Sequence, residues 1–145
     1  SYSWQAVSQA TGPDVGRSNF LNSIDFVGKN LENGKFAKEN LQNANFSVAN
    51  LTGVDFTGAD LRGVDFTGSN LTDADLSGAD LSGAVLAGAV LLRTNFTGAK
   101  LNGVKLTEAD LEEAILLGIE IDEMGIEELQ ALIEYLAKYL QSQDR

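Results

Sequence analysis

The chain contains neither cysteine nor histidine among its 145 residues. Without them it cannot form a disulfide, a Ser-His-Asp or Cys-His nucleophile system, or the usual ligand sets for zinc. Carboxylates, lysine, arginine and tyrosine are the side chains that remain for chemistry. We therefore expect a protein that is not an enzyme, with no catalytic residues, no bound metal and no cofactor.

Positive charge and long hydrophobic runs are also scarce. Ten lysine and arginine residues stand against 21 aspartate and glutamate residues, which gives a net charge of −11. Direct binding to nucleic acid needs a basic surface, and an anionic membrane would repel an acidic chain, so we expect neither partner. No uninterrupted apolar run approaches the roughly 18 residues of a membrane-spanning helix, so the sequence predicts no membrane span.

The dominant pattern is a large apolar side chain at every fifth position, which we call the centre of each repeat. A helix would space its apolar residues three and four apart, and a strand would send successive centres to opposite faces. The period is maintained only if the chain turns a corner once in each repeat. The centres are Leu21, Phe26, Leu31, Phe36, Leu41, Phe46, Leu51, Phe56, Leu61, Phe66, Leu71, Leu76, Leu81, Leu86, Leu91, Phe96, Leu101, Leu106, Leu111, Leu116 and Ile121.

The positions around each centre are also specialised. The residue two before the centre is small, most often alanine, and the residue just before it is mostly aspartate or asparagine. The residue two after the centre, the corner position, is often glycine, which tolerates positive φ angles. Val48, Arg93, Glu108 and Glu113 also occupy this position. Since side chains disfavour positive φ, we expect that not every corner adopts it.

Phenylalanine and leucine alternate as centres between Phe26 and Phe66, so that like residues recur every ten positions. Such a rhythm favours a coil with an even number of sides. Phenylalanine should then stack on phenylalanine, and leucine on leucine, along the axis of the coil.

The repeats resemble the pentapeptide repeat family, whose motif is Ala-(Asp/Asn)-Leu-x-x. The sequence reads Ala-Asn-Leu-Thr-Gly at 49–53, Ala-Asp-Leu-Arg-Gly at 59–63, and Ala-Asp-Leu-Ser-Gly at 74–78 and 79–83. The resemblance implies an all-β solenoid, a right-handed, four-sided β-helix with about 20 residues in each coil. Residues 21–121 would make about five coils, with the centres from Phe26 to Leu116 as an inward-facing core ladder.

Both ends of the chain depart from the repeat. An open solenoid end exposes apolar side chains and unpaired backbone groups, so we interpret residues 1–20 as an N-terminal cap segment. Residues 122–145 change to three- and four-residue spacing, which predicts an amphipathic helix over about 126–141. This helix could cover the last coil as a cap, or pair with a second copy. We expect one domain over 1–145, as a monomer or as a dimer through this helix.

Three apolar residues suggest a surface for a protein partner. Val85 and Val90 stand where aspartate or asparagine is usual, and Leu92 follows them closely. Ile115 and Leu117 lie further on and would extend an apolar patch. Exposed apolar patches mark interaction sites in some proteins, so Val85, Val90 and Leu92 form a candidate partner patch.

Aspartates offer a second candidate site. In a 20-residue coil, Asp55 would stack on Asp75 and Asp60 on Asp80. Such columns could bind a cation or imitate a phosphate backbone. Alternatively, each side chain satisfies a backbone group at its own corner, as aspartate and asparagine commonly do in turns.

These patterns favour a non-enzymatic structural or protein-interaction scaffold with an unidentified protein partner. One alternative is a DNA-mimicking acidic rod, since some pentapeptide repeat proteins are similar in shape and charge to duplex DNA and act on DNA gyrase. A second alternative is a cation-binding protein. Small members of the family occur in cyanobacteria and in the plant thylakoid lumen, so the resemblance suggests a cyanobacterial periplasm or thylakoid lumen, or a plant thylakoid lumen.

Overall fold

The computed structural model describes residues 24–143 and shows a backbone that returns to the same side every 20 residues. Parallel bridges join residues 20 apart throughout, from Asp25 with Asn45 to Lys100 with Glu120. A bridge starts at every fifth residue, so each coil has four sides. Each bridge involves a single residue, so the strands are minimal and the corners follow at once.

The backbone of each side is paired with the coils above and below. The N–H of a centre donates to a carbonyl in the next coil, as from Phe26 to Asn45 at 2.7 Å. The N–H of the residue before a centre donates in the other direction, as from Asn45 to Ile24 at 2.9 Å. Since buried backbone groups must be paired, this pattern allows a narrow coil to enclose a dry core.

The corners are tight turns that all share one backbone conformation. The carbonyl of a centre accepts from the N–H three residues later, as Phe26 does from Lys29 at 3.0 Å. Every fifth residue from Gly28 to Glu123 has positive φ, as the third residue of a type II turn requires.

The expectation that some corners would avoid positive φ was wrong. Val48, Arg93, Glu108 and Glu113 have φ angles of 50°, 53°, 58° and 57°. The reason is that hydrogen bonds to both neighbouring coils fix the path of each corner. The residue placed there adopts the required angle at a cost in strain.

The centres form one continuous core along the axis. All of them from Phe26 to Leu111 are buried, and none of these is more than 8% exposed. The ladder loosens at its C-terminal end, where Leu116 is partly buried and Ile121 is 39% exposed. The first centre of the sequence pattern, Leu21, and the proposed cap segment 1–20 lie outside the described residues.

The phenylalanine centres from Phe26 to Phe66 stack on two opposite sides of the coil. Ring centroids are 4.9 Å apart between Phe26 and Phe46, and 5.4 Å apart between Phe46 and Phe66. Phe36 and Phe56 form the second column, with centroids also 5.4 Å apart. The two columns meet edge to face across the axis, as Phe46 and Phe56 do at 75°. Both arrangements are favourable for aromatic rings, and they follow from the ten-residue rhythm.

The first coil replaces the usual small residues. Ile24, Lys29 and Glu39 are partly buried at these positions, whereas Gly34 is buried. A Cβ atom on Gly34 would lie 2.9 Å from both the Leu31 carbonyl oxygen and a ring carbon of Phe36. Gly34 is therefore needed for close packing, not for a special backbone angle.

Helix α1 spans Ile126–Gln143 and follows the last coil, close to the range that its spacing predicts. Its first turn carries Glu127 and Glu128, which favour the positive end of the helix dipole. Glu128 is buried, and its carboxylate lies over Gly125, where a Cβ would approach it to 2.5 Å. Within residues 24–143, no helix is long and apolar enough to cross a membrane.

Candidate interaction surface

The aspartate and asparagine residues before the centres bind the backbone of their own corners. Each side-chain oxygen accepts from the N–H two residues later, as Asp75 does from Ser77 at 2.9 Å. The Ser77 hydroxyl donates to the same oxygen at 2.6 Å. The same backbone contact is made by Asp25, Asn30, Asn40, Asn45, Asn50, Asp55, Asp60, Asp65, Asn70, Asp80, Asn95 and Asp110. These residues therefore stabilise turns.

The aspartates considered as cation ligands are already engaged by the protein. Hydrogen bonds from Thr57 lower the pKa of Asp55 below its usual value. Arg62, whose guanidinium lies 2.7 Å from the carboxylate of Asp60, lowers the pKa of that group. Across the described part of the chain, no cluster of three or more possible ligands could hold a metal ion.

Charge is distributed very unevenly along the axis. Residues 24–105 contain nine acidic and seven basic side chains, a net charge of −2. Residues 106–143 contain ten acidic side chains and one lysine, a net charge of −9. The acidity of the chain therefore belongs to its C-terminal end and not to the coils before it.

The candidate partner patch is only partly exposed. Val85, Val90 and Leu92 are all of intermediate burial. Val85 bridges Asp65 and Lys105, and Val90 bridges Asn70 and Asp110 on the adjacent side of the coil. Val85 and Val90 therefore flank one corner of the β-helix, and Leu92 begins the next corner.

Helix α1 packs on the last coil with only its first half. Leu132 is 5% exposed, and Leu129 and Tyr135 are partly buried against the core. The Tyr135 hydroxyl donates to the Ala114 carbonyl at 2.7 Å. Burial raises the pKa of Tyr135, and the nearby Tyr139 and Glu113 raise it further. From Leu136 to the end of the helix, every described side chain is exposed.

An open apolar groove lies between α1 and the last coil, and it continues along the second half of the helix. The coil contributes Ile115 and Leu117, which are 47% and 73% exposed. The helix contributes Leu136 and Tyr139 on the opposite wall. We call this feature, with the partly buried Leu116 at its base, the C-terminal groove.

Sequence reasoning identified the components of this groove but not the groove itself. Ile115 and Leu117 stand at outward positions of the repeat, and Leu136 belongs to the apolar stripe of the predicted helix. Residue spacing does not determine where a helix docks, so the sequence alone did not bring these residues together.

Solved structures with a similar fold are pentapeptide repeat proteins, which form right-handed quadrilateral β-helices. A pentapeptide repeat protein from the Arabidopsis thaliana thylakoid lumen is 24% identical, with a TM-score of 0.64 over 72% of this chain and 73% of that one. Trypsin-treated QnrB1, a plasmid-mediated fluoroquinolone resistance protein, is also 24% identical, with a TM-score of 0.55. That match covers 80% of this chain and 57% of QnrB1. These likenesses concern the fold.

Comparison at the level of sequence gives a family assignment. No curated protein matches the chain at a significant level. A family model described as pentapeptide repeats in eight copies matches residues 30–68, 49–86, 69–107 and 79–118. These matches run together from 30 to 118, which is more than half of the chain. With its 20-residue coils and its Ala-(Asp/Asn)-Leu repeats, the chain belongs to the pentapeptide repeat family.

Proposed function

We propose that this protein is a non-enzymatic interaction scaffold, in which the β-helix supports the C-terminal groove as a binding surface for a protein. The observation that carries the proposal is the concentration of exposed apolar side chains at one end. Eight of the ten exposed large hydrophobic residues in the described part of the chain lie between Ile115 and Leu140. Six of these eight residues line the C-terminal groove, and an exposed apolar patch of this kind is typical of interaction sites.

The rest of the coil supports a structural role. The interior of the β-helix, which we call the shaft, is filled by the centres and the small residues, so the shaft encloses packed side chains. The outward aspartates and asparagines are occupied with their own turns and do not converge on a cleft. Pentapeptide repeat proteins are generally non-enzymatic, which agrees with this proposal.

Site-specific photo-crosslinking in the source cells tests the proposed function. A photoreactive amino acid at Leu117 should give a discrete crosslinked protein, because this side chain lies in the groove. The same amino acid at Thr57, the equivalent position three coils closer to the N terminus, should give none. A third variant at Leu92 examines the candidate partner patch. The absence of any crosslinked protein from Leu117 would overturn the proposal.

The DNA-mimicking alternative is less well supported by the charge distribution. A duplex carries a regular negative charge along its whole length, whereas residues 24–105 carry a net charge of only −2. Arg93 also pairs with Asp73 at 2.7 Å and lies 3.8 Å from Glu113, so it interrupts a possible acidic column. We expect no effect on gyrase supercoiling at micromolar protein, and inhibition would restore this alternative.

The cation-binding alternative and the compartment have direct tests. Titration with calcium should leave the melting temperature unchanged, since the aspartate oxygens serve turns.

For localisation, we keep a thylakoid lumen or a cyanobacterial periplasm as the prediction, in line with the lumenal origin of the Arabidopsis protein. Fractionation of the source cells, with immunodetection of this chain, would test it.

A further inference from the structure

The apolar stripe of α1 continues beyond the part that the last coil covers. Leu129 and Leu132 pack against the core, and Leu136, Tyr139 and Leu140 follow at helical spacing. The latter three are 47%, 52% and 64% exposed. The uncovered portion from Leu136 to the end of α1 amounts to about two helical turns. This half of the helix is therefore available to a further apolar element.

The last coil presents a matching apolar wall. Ile115 and Leu117 occupy outward positions that are polar in the three preceding coils of the same side. The equivalent residues there are Asp55, Asp75 and Asn95 before the centre, and Thr57, Ser77 and Thr97 after it. On this side of the coil, the change to apolar residues therefore occurs in the last coil, beside α1.

The dimensions and lining of the groove suit a helix better than a small molecule. Its volume is about 1390 Å³, whereas pockets for small ligands are typically about 300–1,000 Å³. Such pockets also contain a few buried polar groups that orient the ligand. The buried polar residues of the described chain are Ser69, Thr94 and Glu128, and none of them lines the groove. A hydrophobic groove of this kind can accept the apolar face of an amphipathic helix.

The charge around the groove selects among possible partners. Glu112, Glu113 and Glu134 lie along it, and Lys138 is the single basic residue within 106–143. A second copy of this chain would bring one net charge of −9 against another. Like charges placed across an interface repel each other and suppress such pairing. A partner with basic residues beside its apolar stripe would complement both features of the groove.

We propose that the C-terminal groove binds a basic amphipathic helix of a partner protein. The apolar side chains of that helix would insert between Leu117 on the coil and Leu136 on α1. Its lysines or arginines would lie over the glutamates along the groove. This inference rests on the proposed function, because it names the class of partner for the same surface.

Three synthetic peptides test the inference by fluorescence anisotropy with the full chain. The probe is a labelled helical peptide of about five turns, with leucines at three- and four-residue spacing and lysines elsewhere. One control replaces the lysines by glutamates, and the other keeps the lysines but replaces the leucines by serines. We expect the probe to bind at least about tenfold more tightly than either control. Its affinity should also fall with added salt, because screening weakens the charge contribution.

Variants of the chain locate the binding site. The double variant Leu117→Lys, Leu136→Lys should bind the probe at least about tenfold more weakly, since both walls of the groove lose their apolar contacts. Val48→Lys is the matched control, because Val48 is 62% exposed but lies on the shaft. Thermal melting followed by circular dichroism shows that each variant is folded. Unchanged affinity in the double variant would overturn the inference.

The remaining outcomes are also decisive. Equal binding of the probe and the lysine–serine peptide would mean attraction by charge alone, and would overturn the inference. Light scattering that shows a dimer, lost in the double variant, would assign the groove to a second copy instead. A crosslinked protein from Leu117 without binding of the probe would leave the proposed function intact and reject only this class of partner.

Discussion

At the scale of single residues, the corners of the coil hold unusual backbone strain. Val48 adopts a φ of 50° although it is β-branched, and such residues rarely occupy the left-handed region. The left-handed conformation costs an L-residue about 1–2 kcal/mol. Val48 is 62% exposed, so little packing offsets this cost. The corner position is therefore one where glycine should be better than the residue present.

The substitution Val48→Gly should stabilise the fold. We expect a gain of about 1 kcal/mol, because relief of left-handed strain exceeds the added flexibility of glycine. Val27→Gly is the control, since Val27 is 42% exposed and precedes its corner residue, without a positive φ. That variant should melt at a lower temperature. Thermal unfolding of both variants makes the comparison, and a lower melting temperature for Val48→Gly would contradict the account of strain.

Ser69→Ala should also stabilise the protein. Ser69 is fully buried, and its hydroxyl oxygen has no hydrogen-bond partner among the described residues. A buried polar group without a partner costs about 1–3 kcal/mol, and alanine is the usual residue at this position of the repeat. Thr94→Val is the contrasting variant, because the Thr94 hydroxyl donates to the Leu71 carbonyl at 2.7 Å. Denaturant unfolding should show stabilisation for the first variant and destabilisation for the second; the reverse order would refute the assignment.

Much of the residue-scale organisation could be read from the sequence. The five-residue period separates inward positions such as Leu71 from outward positions such as Thr72, because only one face of each short side can be buried. The backbone angle at Val48 could not be read in this way. Local preference argues against positive φ for valine, and hydrogen bonds to two neighbouring coils override that preference.

At the scale of elements, α1 is divided into a docked half and a free half. Leu132 and Leu136 are one turn apart on the same helix, yet their exposed fractions are 5% and 47%. The periodicity of the sequence predicted the helix and its apolar stripe. It could not show how much of the stripe is covered, because that depends on the angle at which α1 meets the last coil.

Leu132→Ala should loosen α1 far more than Leu136→Ala. Truncation of a buried leucine costs about 2–5 kcal/mol, whereas the partly exposed side chain contributes less to docking. Hydrogen exchange should therefore accelerate across the amides of α1 in the first variant and change little in the second. Equal acceleration in both variants would mean that the two halves of the helix dock alike.

At the scale of the whole molecule, we expect the stability of the fold to decrease in acid because of the carboxylates along the β-helix. The pKa of Asp55 is lowered by hydrogen bonds from Thr57. Burial raises the pKa of Asp65, but hydrogen bonds from Thr67 and Ser47 together outweigh it, so the net shift is downward. A carboxyl group whose pKa is lower in the folded state than in the unfolded state stabilises the folded state. This stabilisation is fully present at pH values above the unfolded pKa, which is near 3.8. This contribution is lost as the pH falls through the folded pKa.

The melting temperature should therefore decrease as the pH is lowered below about 4. Asp55→Asn and Asp65→Asn should make this decrease shallower, because asparagine can make the same backbone contact but does not titrate. Asn70→Asp is the reciprocal variant and should make the decrease steeper. Melting curves recorded from neutral to acidic pH provide the measurement. Identical pH profiles for the parent chain and the asparagine variants would show that these carboxylates do not contribute.

The constant 20-residue offset between bridged positions has a consequence for how such a molecule can change in length. Removal of one whole coil would draw the C-terminal groove closer to the N-terminal end by about 4.8 Å and leave its azimuth unchanged. Removal of a single five-residue repeat would rotate the groove by a quarter turn about the axis and set leucine columns under phenylalanine columns. Deletions and duplications in such a coil can therefore adjust the reach of a binding end separately from its direction.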